Sequence, residues 1–408
     1  LRKIETMAKI STDQAKIQEL LERGVENVYP SKEYLKKQLL SGKQLTLYLG
    51  IDPTGPTLHL GHAITIEKLR QFQELGHKII LLIGDFTGMV GDPTDKTATR
   101  QALTREQVLK NAKSYKNQAN KLINVSGNNK AEIKFNSQWQ SKMNFNQVMD
   151  LAKHFTVQRL LERDMFQERI KSAKAIYLHE FMYPILQAYD CVAMDVDGEI
   201  GGNDQTFNML AGRDLMKELK HKEKFVITMR LLTDTSGKKM GKSEGNMAAL
   251  SDTAQDMFGK IMSWTDGMII SGFELCTRVS LTEIKQLDKD LKAGKNPRDI
   301  KFRLAGEIVK IYFSENAATK AGQEFTNIFA KKANPDEIQE FAIGKNKISP
   351  IDLLLQMKLV NSKGEARRLI DGGGMKLNHE KVSVWDKDIA IKSGDVVQAG
   401  KRKFGKIK

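Results

Sequence analysis

Apolar positions along this chain follow two rhythms: short continuous runs of strand length, and longer stretches in which apolar residues return every three or four positions. Residues 45–51, "LTLYLGI", and 77–85, "HKIILLIGD", are runs of the first kind with β-branched content. Between them "AITIEKLRQFQELG" has helical spacing and stops at Gly76. Strand, helix and strand at this separation predict a βαβ unit, and therefore a parallel sheet. A second crossover is predicted from "YLHEFMYPILQAYD" as helix, through "CVAMDV" as strand, to "QTFNMLAGRDLMKEL" as helix, with "FVITMRLL" as one more strand. Ahead of these, "DQAKIQELLER" reads as an amphipathic helix opening at Asp13. Residues 101–175 carry mainly polar helix patterns that would cap or elaborate the sheet, and 253–332 are again helical and polar. Residues 331–349 read as a linker, after which two short helices, a glycine-rich turn and short strands are predicted. The pattern contains no internal repeat and no low-complexity tract.

Composition adds a partner class. The chain has 408 residues, of which 40% are hydrophobic and 28% charged, and no stretch has the unbroken apolar length of a membrane helix. Its formal charge is +15, which favours a polyanionic partner, with nucleic acid ahead of membrane. The excess is concentrated: residues 345–408 hold 15 Lys and Arg against 7 Asp and Glu, so a separate basic module is expected there. Cys191 and Cys276 are far apart and lack metal-ligand spacing, which argues against zinc and against a disulfide framework. The opening "LRKIETMAKISTDQ" has no apolar core for export and contains acidic residues, so a cytoplasmic location is expected.

Candidate chemistry begins in "YLGIDPTGPTLHLGHAI", the loop after the first predicted strand. In an open parallel sheet, ligands bind beyond the carboxyl ends of strands, where such loops enter helices. His59 and His62 lie three apart on one face of a helix start, where backbone N–H groups and the helix dipole already favour an anion. Gly61 leaves no side chain to block a flat ring or a phosphate; a histidine that merely caps the helix is the alternative. A second loop, "GKKMGKSEGN" (237–246), offers Lys239 and Lys242 to phosphates, against the plainer reading of a solvated basic turn. A third stretch, "HEFMYPILQAYD", aligns Tyr183, Gln187 and Asp190 on one helical face, which suits a polar pocket wall.

The first two loops resemble the HIGH and KMSKS signatures of class I aminoacyl-tRNA synthetases in order, separation and βαβ setting. With the third stretch the similarity becomes residue by residue and nearly full-length, to the bacterial tyrosyl-tRNA synthetases. "YLGIDPT" carries Tyr48, Gly50, Asp52 and Thr54; "GDPTDKTATR" carries Asp92, Lys96 and Arg100; "GGNDQ" carries Gly202, Asp204 and Gln205. The resemblance implies an α/β fold: a Rossmann-like parallel-sheet catalytic domain over 1–235, with N-terminal helices and a helical insertion. It further implies a KMSKS-like loop and helical domain over 236–335, a linker at 336–348, and a small α+β RNA-binding module of ribosomal-protein type over 349–408.

The implied activity is ligation of tyrosine to tRNA: the tyrosine carboxylate attacks the α-phosphate of ATP, pyrophosphate leaves, and the tyrosyl group passes to the tRNA terminal ribose. That first step needs no proton transfer from the protein, so catalysis would rest on positioning and on stabilising charge at the phosphates. By the resemblance Thr54, His59, His62, Lys96, Arg100, Lys239 and Lys242 serve catalysis. Tyr48 and Asp190 would bind the phenol, while Tyr183, Gln187 and Asp92 would hold the ammonium, with Gln205 beside them. Gly50, Asp52, Gly61, Gly202, Asp204, Leu232 and Ser243, with both histidines and both lysines, would form the ATP site, Asp204 at the ribose and Leu232 at adenine. Magnesium is expected with ATP and without a dedicated protein site. In the C-terminal module Lys363, Arg367, Arg368 and Lys376 would contact RNA, and the Gly372–Gly374 turn would let a sugar-phosphate chain approach. The partners implied are tRNA(Tyr), L-tyrosine, ATP and a second copy of the chain. Leu60 and Gly241 depart from the two signatures, the first a volume-conserving swap. The rivals are a tryptophanyl enzyme, a shorter nucleotidyltransferase with a similar histidine loop, and an inactive RNA-binding paralogue.

Overall fold

A computed structural model describes residues 9–94, 103–234, 237, 247–330, 338–400 and 403–408. The chain divides into two compact units, Leu1–Asp252 with Trp264–Tyr312, and Thr253–Ser263 with Phe313–Lys408. The helical stretch between 236 and 335 is thus shared between the units.

In the first unit six strands form one sheet: β1 Val25–Tyr29, β2 Thr46–Ile51, β3 Lys78–Ile83, β4 Glu132–Phe135, β5 Gly198–Gly202 and β6 Phe225–Met229. Their spatial order is β1-β6-β5-β2-β3-β4. Edge strand β1 runs antiparallel to β6, and the remaining neighbours are parallel. The βαβ unit read from periodicity is present as β2, the Leu60–Glu74 helix and β3, with Tyr48 opposite Ile80. Asp13 caps the Gln14–Glu22 helix as expected, accepting from the backbone N–H groups of Ala15 and Lys16.

One predicted strand falls elsewhere. "CVAMDV" continues the helix, which runs Leu178–Met194 and ends on Asp195 in the left-handed conformation. The strand is the glycine-rich "GEIGG" that follows, a sequence of low β propensity. Its glycines are explained by packing: a Cβ on Gly198 would lie 2.1 Å from Cζ of Phe225 on the neighbouring strand. Strands β1 and β4 also escape the hydrophobic pattern, being short, polar-rich edges.

From β2 the chain crosses to β3, and from β5 through the Thr206–Lys220 helix it crosses to β6, on the other side of the sheet order. The loops leaving the adjacent strands β2 and β5 therefore part and open a crevice at their carboxyl ends. Beneath it Tyr48, Ile80 and Leu82 pack with Ile185, Ala188, Cys191 and Val192 of the Leu178–Met194 helix.

The second unit contains the Ala254–Met262 and Glu315–Ala330 helices and a small α+β module. Its strands are β7 Glu340–Phe341, β8 Lys347–Ile348, β9 Met375–Leu377, β10 Glu380–Lys381, β11 Ile389–Ala390, β12 Val396–Ala399 and β13 Lys403–Ile407. Five of them make a sheet in the order β10-β9-β12-β13-β7, and β11 pairs with β8. The helices Pro350–Gln356 and Lys363–Asp371 supply Leu353, Leu354, Ala366 and Ile370 to a core shared with Met375 and Val397. Residues 338–348, read as linker, carry β7 and β8: Glu340 and Phe341 pair with Lys406 and Ile407, partners too distant in sequence for periodicity to reveal. Among the described residues no helix is long and apolar enough to cross a membrane.

Candidate active site

The crevice holds a cavity of about 300 Å³ whose lining joins both groups of residues singled out in the sequence. Tyr48, Gly50, Asp52, Thr54, His59, Gly61 and His62 come from β2 and the loop after it, and Asp92 from the loop after β3. Tyr183, Gln187 and Asp190 come from the Leu178–Met194 helix; Gly202, Asp204 and Gln205 follow β5, and Leu232 follows β6. Lys96, Arg100, Lys239, Lys242 and Ser243 lie outside the described residues.

At the inner end Asp190 is buried and paired. Its Oδ1 accepts from Trp139 Nε1 at 2.7 Å and from Gln140 Nε2 at 2.9 Å, and its Oδ2 from Asn136 Nδ2 at 3.3 Å. Desolvation raises its pKa to about 7, against the pull of these three donors. The Tyr48 hydroxyl is buried without a hydrogen-bond partner of normal geometry. Its pKa is well above the ordinary phenol value, through burial first and the Glu199 carboxylate second. Tyr48 and Asp190 thus share the cavity lining as two buried polar groups without bonding each other directly.

Along the wall, Tyr183 Oη donates to Asp52 Oδ2 at 2.9 Å, and Thr87 Oγ1 donates to Asp52 Oδ1 at 2.7 Å. Gly84 makes room for this carboxylate, since a Cβ there would sit 1.9 Å from Asp52 Oδ1. Asp92 accepts from Gln205 Nε2 at 2.6 Å and from the backbone and hydroxyl of Thr94 at 2.9 and 2.6 Å. The buried Arg163 donates to the same Thr94 hydroxyl at 2.6 Å.

At the outer end both histidines cap their own helix. His59 is the N-cap residue, its Nδ1 accepting from Gly61 N at 3.1 Å, while His62 Nδ1 accepts from His59 N at 3.2 Å. The two rings lie 3.9 Å apart, centre to centre. Accepting at Nδ1 leaves a neutral imidazole with its proton on Nε2, so both rings are fixed as Nε2–H donors. The capping alternative raised by the sequence is present, in a form that keeps a ring N–H on each histidine as a donor. A Cβ on Gly61 would meet the His59 ring at 2.9 Å, so the glycine makes room for the capping ring, and Gly61 itself lines the cavity.

In the glycine turn of the C-terminal module, Gly373 has a positive φ of 69°, and a Cβ on Gly374 would lie 2.5 Å from Leu369 Cδ1, so both positions suit glycine. Lys363, Arg367 and Arg368 are exposed on the Lys363–Asp371 helix and Lys376 is half-buried on β9. Arg367 stacks over Trp385, 3.9 Å from the ring centre.

Sequence reasoning missed Asn136, Trp139, Gln140, Gly84, Thr87 and the ion pair of Glu199 with Lys224, both buried. A charge inside the glycine strand "GEIGG" and another opening the apolar "KFVITM" were the readable signals for that pair. Among the described residues no cluster of three or more His, Cys, Asp or Glu is arranged to hold a metal.

A crevice at the switch point of a parallel sheet, whose cavity is lined by a helix-capping histidine pair and by the buried polar groups of Tyr48 and Asp190, suits an enzyme that joins a small acid to a nucleotide. Residues 40–330 match the family model described as tRNA synthetases class I (W and Y). Solved structures with the same fold include a C-terminally truncated mitochondrial tyrosyl-tRNA synthetase from Coccidioides posadasii, at TM-score 0.61 and 24% identity, covering 76% of this chain and 91% of that one. Another is the tyrosyl-tRNA synthetase of Archaeoglobus fulgidus complexed with L-tyrosine, at TM-score 0.58 and 22% identity, covering 76% and 99%. In sequence the chain is 44% identical to tyrosine–tRNA ligase 2 of Clostridium acetobutylicum, over 95% of this chain and 97% of that protein. It is 45% identical to tyrosine–tRNA ligase of Haemophilus influenzae, over 95% and 96%. The chain belongs to the class I tRNA synthetases and, within them, to the tyrosine–tRNA ligase family.

Proposed function

We propose that the chain activates L-tyrosine with ATP, releasing pyrophosphate, and transfers the tyrosyl group to the 3′ end of tRNA(Tyr). The observation that carries this reading is one cavity whose lining brings Tyr48 and Asp190 together with the helix-capping pair His59 and His62. The phenol of tyrosine donates to Asp190 and accepts from Tyr48. The ammonium binds Asp92, Tyr183 and Gln187, next to Gln205. The carboxylate is then directed at the α-phosphate, whose growing charge meets the Nε2–H groups of both histidines and the Thr54 hydroxyl. Lys96, Arg100, Lys239 and Lys242, with Ser243, complete the set of donors around the phosphates. Gly50, Asp52, Gly202, Asp204 and Leu232 seat the nucleoside. Magnesium enters with ATP and supplies further positive charge, held by phosphates and water.

Transfer RNA is bound through the basic C-terminal module, with Lys363, Arg367, Arg368 and Lys376 at its phosphates. A homodimer is supported by large apolar side chains exposed along one stretch of the chain, among them Phe145 at 77% and Leu178 at 79% exposure. A cytoplasmic setting fits two cysteines that are both buried and free. The test is exchange of pyrophosphate into ATP with tyrosine, phenylalanine and tryptophan in parallel. Exchange with tyrosine alone is expected; exchange with tryptophan, or with none of the three, would overturn the assignment.

A further inference from the structure

Gln187, assigned above to the tyrosine ammonium, leads into a chain of buried polar groups. Lys224, wholly buried, forms an ion pair with Glu199 Oε2. The other oxygen of Glu199, Oε1, accepts from Gln187 Nε2 at 3.2 Å. The remaining atom of that amide, Gln187 Oε1, is buried and has no partner. Both Gln187 and Glu199 line the cavity.

The order of these contacts settles which way the amide lies. A carboxylate is an acceptor only, so it engages the NH₂ end of Gln187 and not the carbonyl end. Lys224 has donors only and cannot substitute for a carboxylate in this contact. The Lys224 ammonium keeps its proton. Desolvation opposes it, and the neighbouring Cys191 and Glu199 outweigh that and raise its pKa. Lys224 also lies 5.9 Å from the centre of the Tyr48 ring, so the same cation neighbours Glu199 and the Tyr48 phenol ring. An unsatisfied buried carbonyl costs stability in the empty protein, and a ligand that donates to it recovers that loss on binding.

We propose that Glu199, anchored by Lys224, is a positioning residue that fixes the Gln187 amide with its carbonyl presented to the ligand, so that the site demands a protonated α-amino group. This deepens the assignment of the cavity to tyrosine and rests on it. Glu199 acts through Gln187, and Lys224 acts through Glu199.

The experiment is equilibrium binding of L-tyrosine and of its desamino analogue, which keeps the phenol and carboxylate and lacks the ammonium. It is run on the full-length wild-type chain, on Glu199→Gln, and on the double variant Glu199→Gln with Lys224→Met. Glutamine at 199 can both donate and accept, so the amide of Gln187 is no longer held one way. Tyrosine affinity is expected to fall roughly tenfold, the scale of one hydrogen bond to a charged group, in both variants. Affinity for the desamino analogue is expected to stay at the wild-type level, which a merely structural disturbance would not allow. Unchanged tyrosine affinity, or an equal loss for both compounds, overturns the proposal. Should the single variant fail to fold, the double variant carries the test, because it leaves no unpaired charge in the interior. Failure of the wild-type chain to bind tyrosine would instead overturn the assignment of the cavity.

Discussion

The substitution Asp190→Asn separates the charge of this residue from its shape. The amide oxygen of the introduced asparagine can still accept from Trp139 Nε1 and Gln140 Nε2, which share Oδ1 in the native protein. What is lost is the charged acceptor for the phenol of tyrosine, together with the bond from Asn136 Nδ2, since an amide nitrogen in place of Oδ2 cannot accept. A hydrogen bond to a charged group contributes about 1.5–3 kcal/mol and a neutral one about 0.5–1.5, so the substitution should weaken tyrosine binding by about 1–2 kcal/mol, on the order of tenfold. The wild-type protein should show the same loss as a function of pH. Its Asp190 pKa is raised to about 7, so the charged acceptor is present above that value and lost as pH falls through it. Tyrosine affinity measured by equilibrium dialysis should therefore decline roughly tenfold from the alkaline to the acid side of about 7, and the Asp190→Asn profile should lie flat at the lower level. Stability without ligand moves the opposite way. The folded state holds this proton more tightly than the unfolded chain, whose pKa is near the ordinary 3.8. The contribution of Asp190 is therefore favourable at acid pH and is lost as pH rises from 3.8 to about 7. The distance from 3.8 to about 7 corresponds to about 4 kcal/mol, which bounds the gain in unfolding free energy of Asp190→Asn on the alkaline side. A wild-type affinity independent of pH, or an unchanged pH profile in the variant, would refute the reasoning.

Three further sets of substitutions follow from the geometry. Gly84→Ala places a Cβ where Asp52 Oδ1 now sits, 1.9 Å away, so Asp52 must leave Thr87 and Tyr183; a loss of about 1–3 kcal/mol of stability in denaturant melts, together with slowed pyrophosphate exchange, is expected. Lys224→Met alone strands the buried Glu199 carboxylate and should destabilise the protein by about 3–5 kcal/mol, and restoring a neutral partner with Glu199→Gln should return most of it. Reversing Arg367 and Arg368 to glutamate in the full chain should leave tyrosine-dependent exchange intact while weakening tRNA binding; the slope of log affinity against log salt should shrink by about 2, and an unchanged slope would remove these two residues from the RNA contact.

The parts of the fold that could be read from the sequence are those whose signal is local. The β2–helix–β3 unit announces itself by period, and the loop from Tyr48 to His62 by the density of chemistry after a strand. The helical face of Tyr183, Gln187 and Asp190 is legible because two turns of a single helix carry it. The support of Asp190 is not legible, because Asn136, Trp139 and Gln140 lie some fifty positions away and meet it only when the sheet closes. The misplaced strand has a physical reason too. "CVAMDV" is apolar enough for either state, while the true strand trades propensity for the space that Phe225 and Met209 occupy beside Gly198 and Gly201. What a glycine makes room for within the protein is equally hidden: at Gly61 and Gly374 the side chains of His59 and Leu369 pack where a Cβ would sit, which no linear pattern reports.

The reciprocal capping of His59 and His62 ties the arming of the site to the first turn of one helix. Gly61 N–H is bonded to the His59 ring, and His59 N–H to the His62 ring. Those two amide protons are consequently built-in reporters: their exchange with solvent deuterium monitors the imidazoles themselves, without a label, a substrate or turnover. A residue chosen only as a better helix cap would raise protection at this turn and silence the donors in the same stroke. On the proposed role of these rings at the phosphates, the melting of this turn can be tuned only within the narrow set of side chains that keep a ring N–H donor.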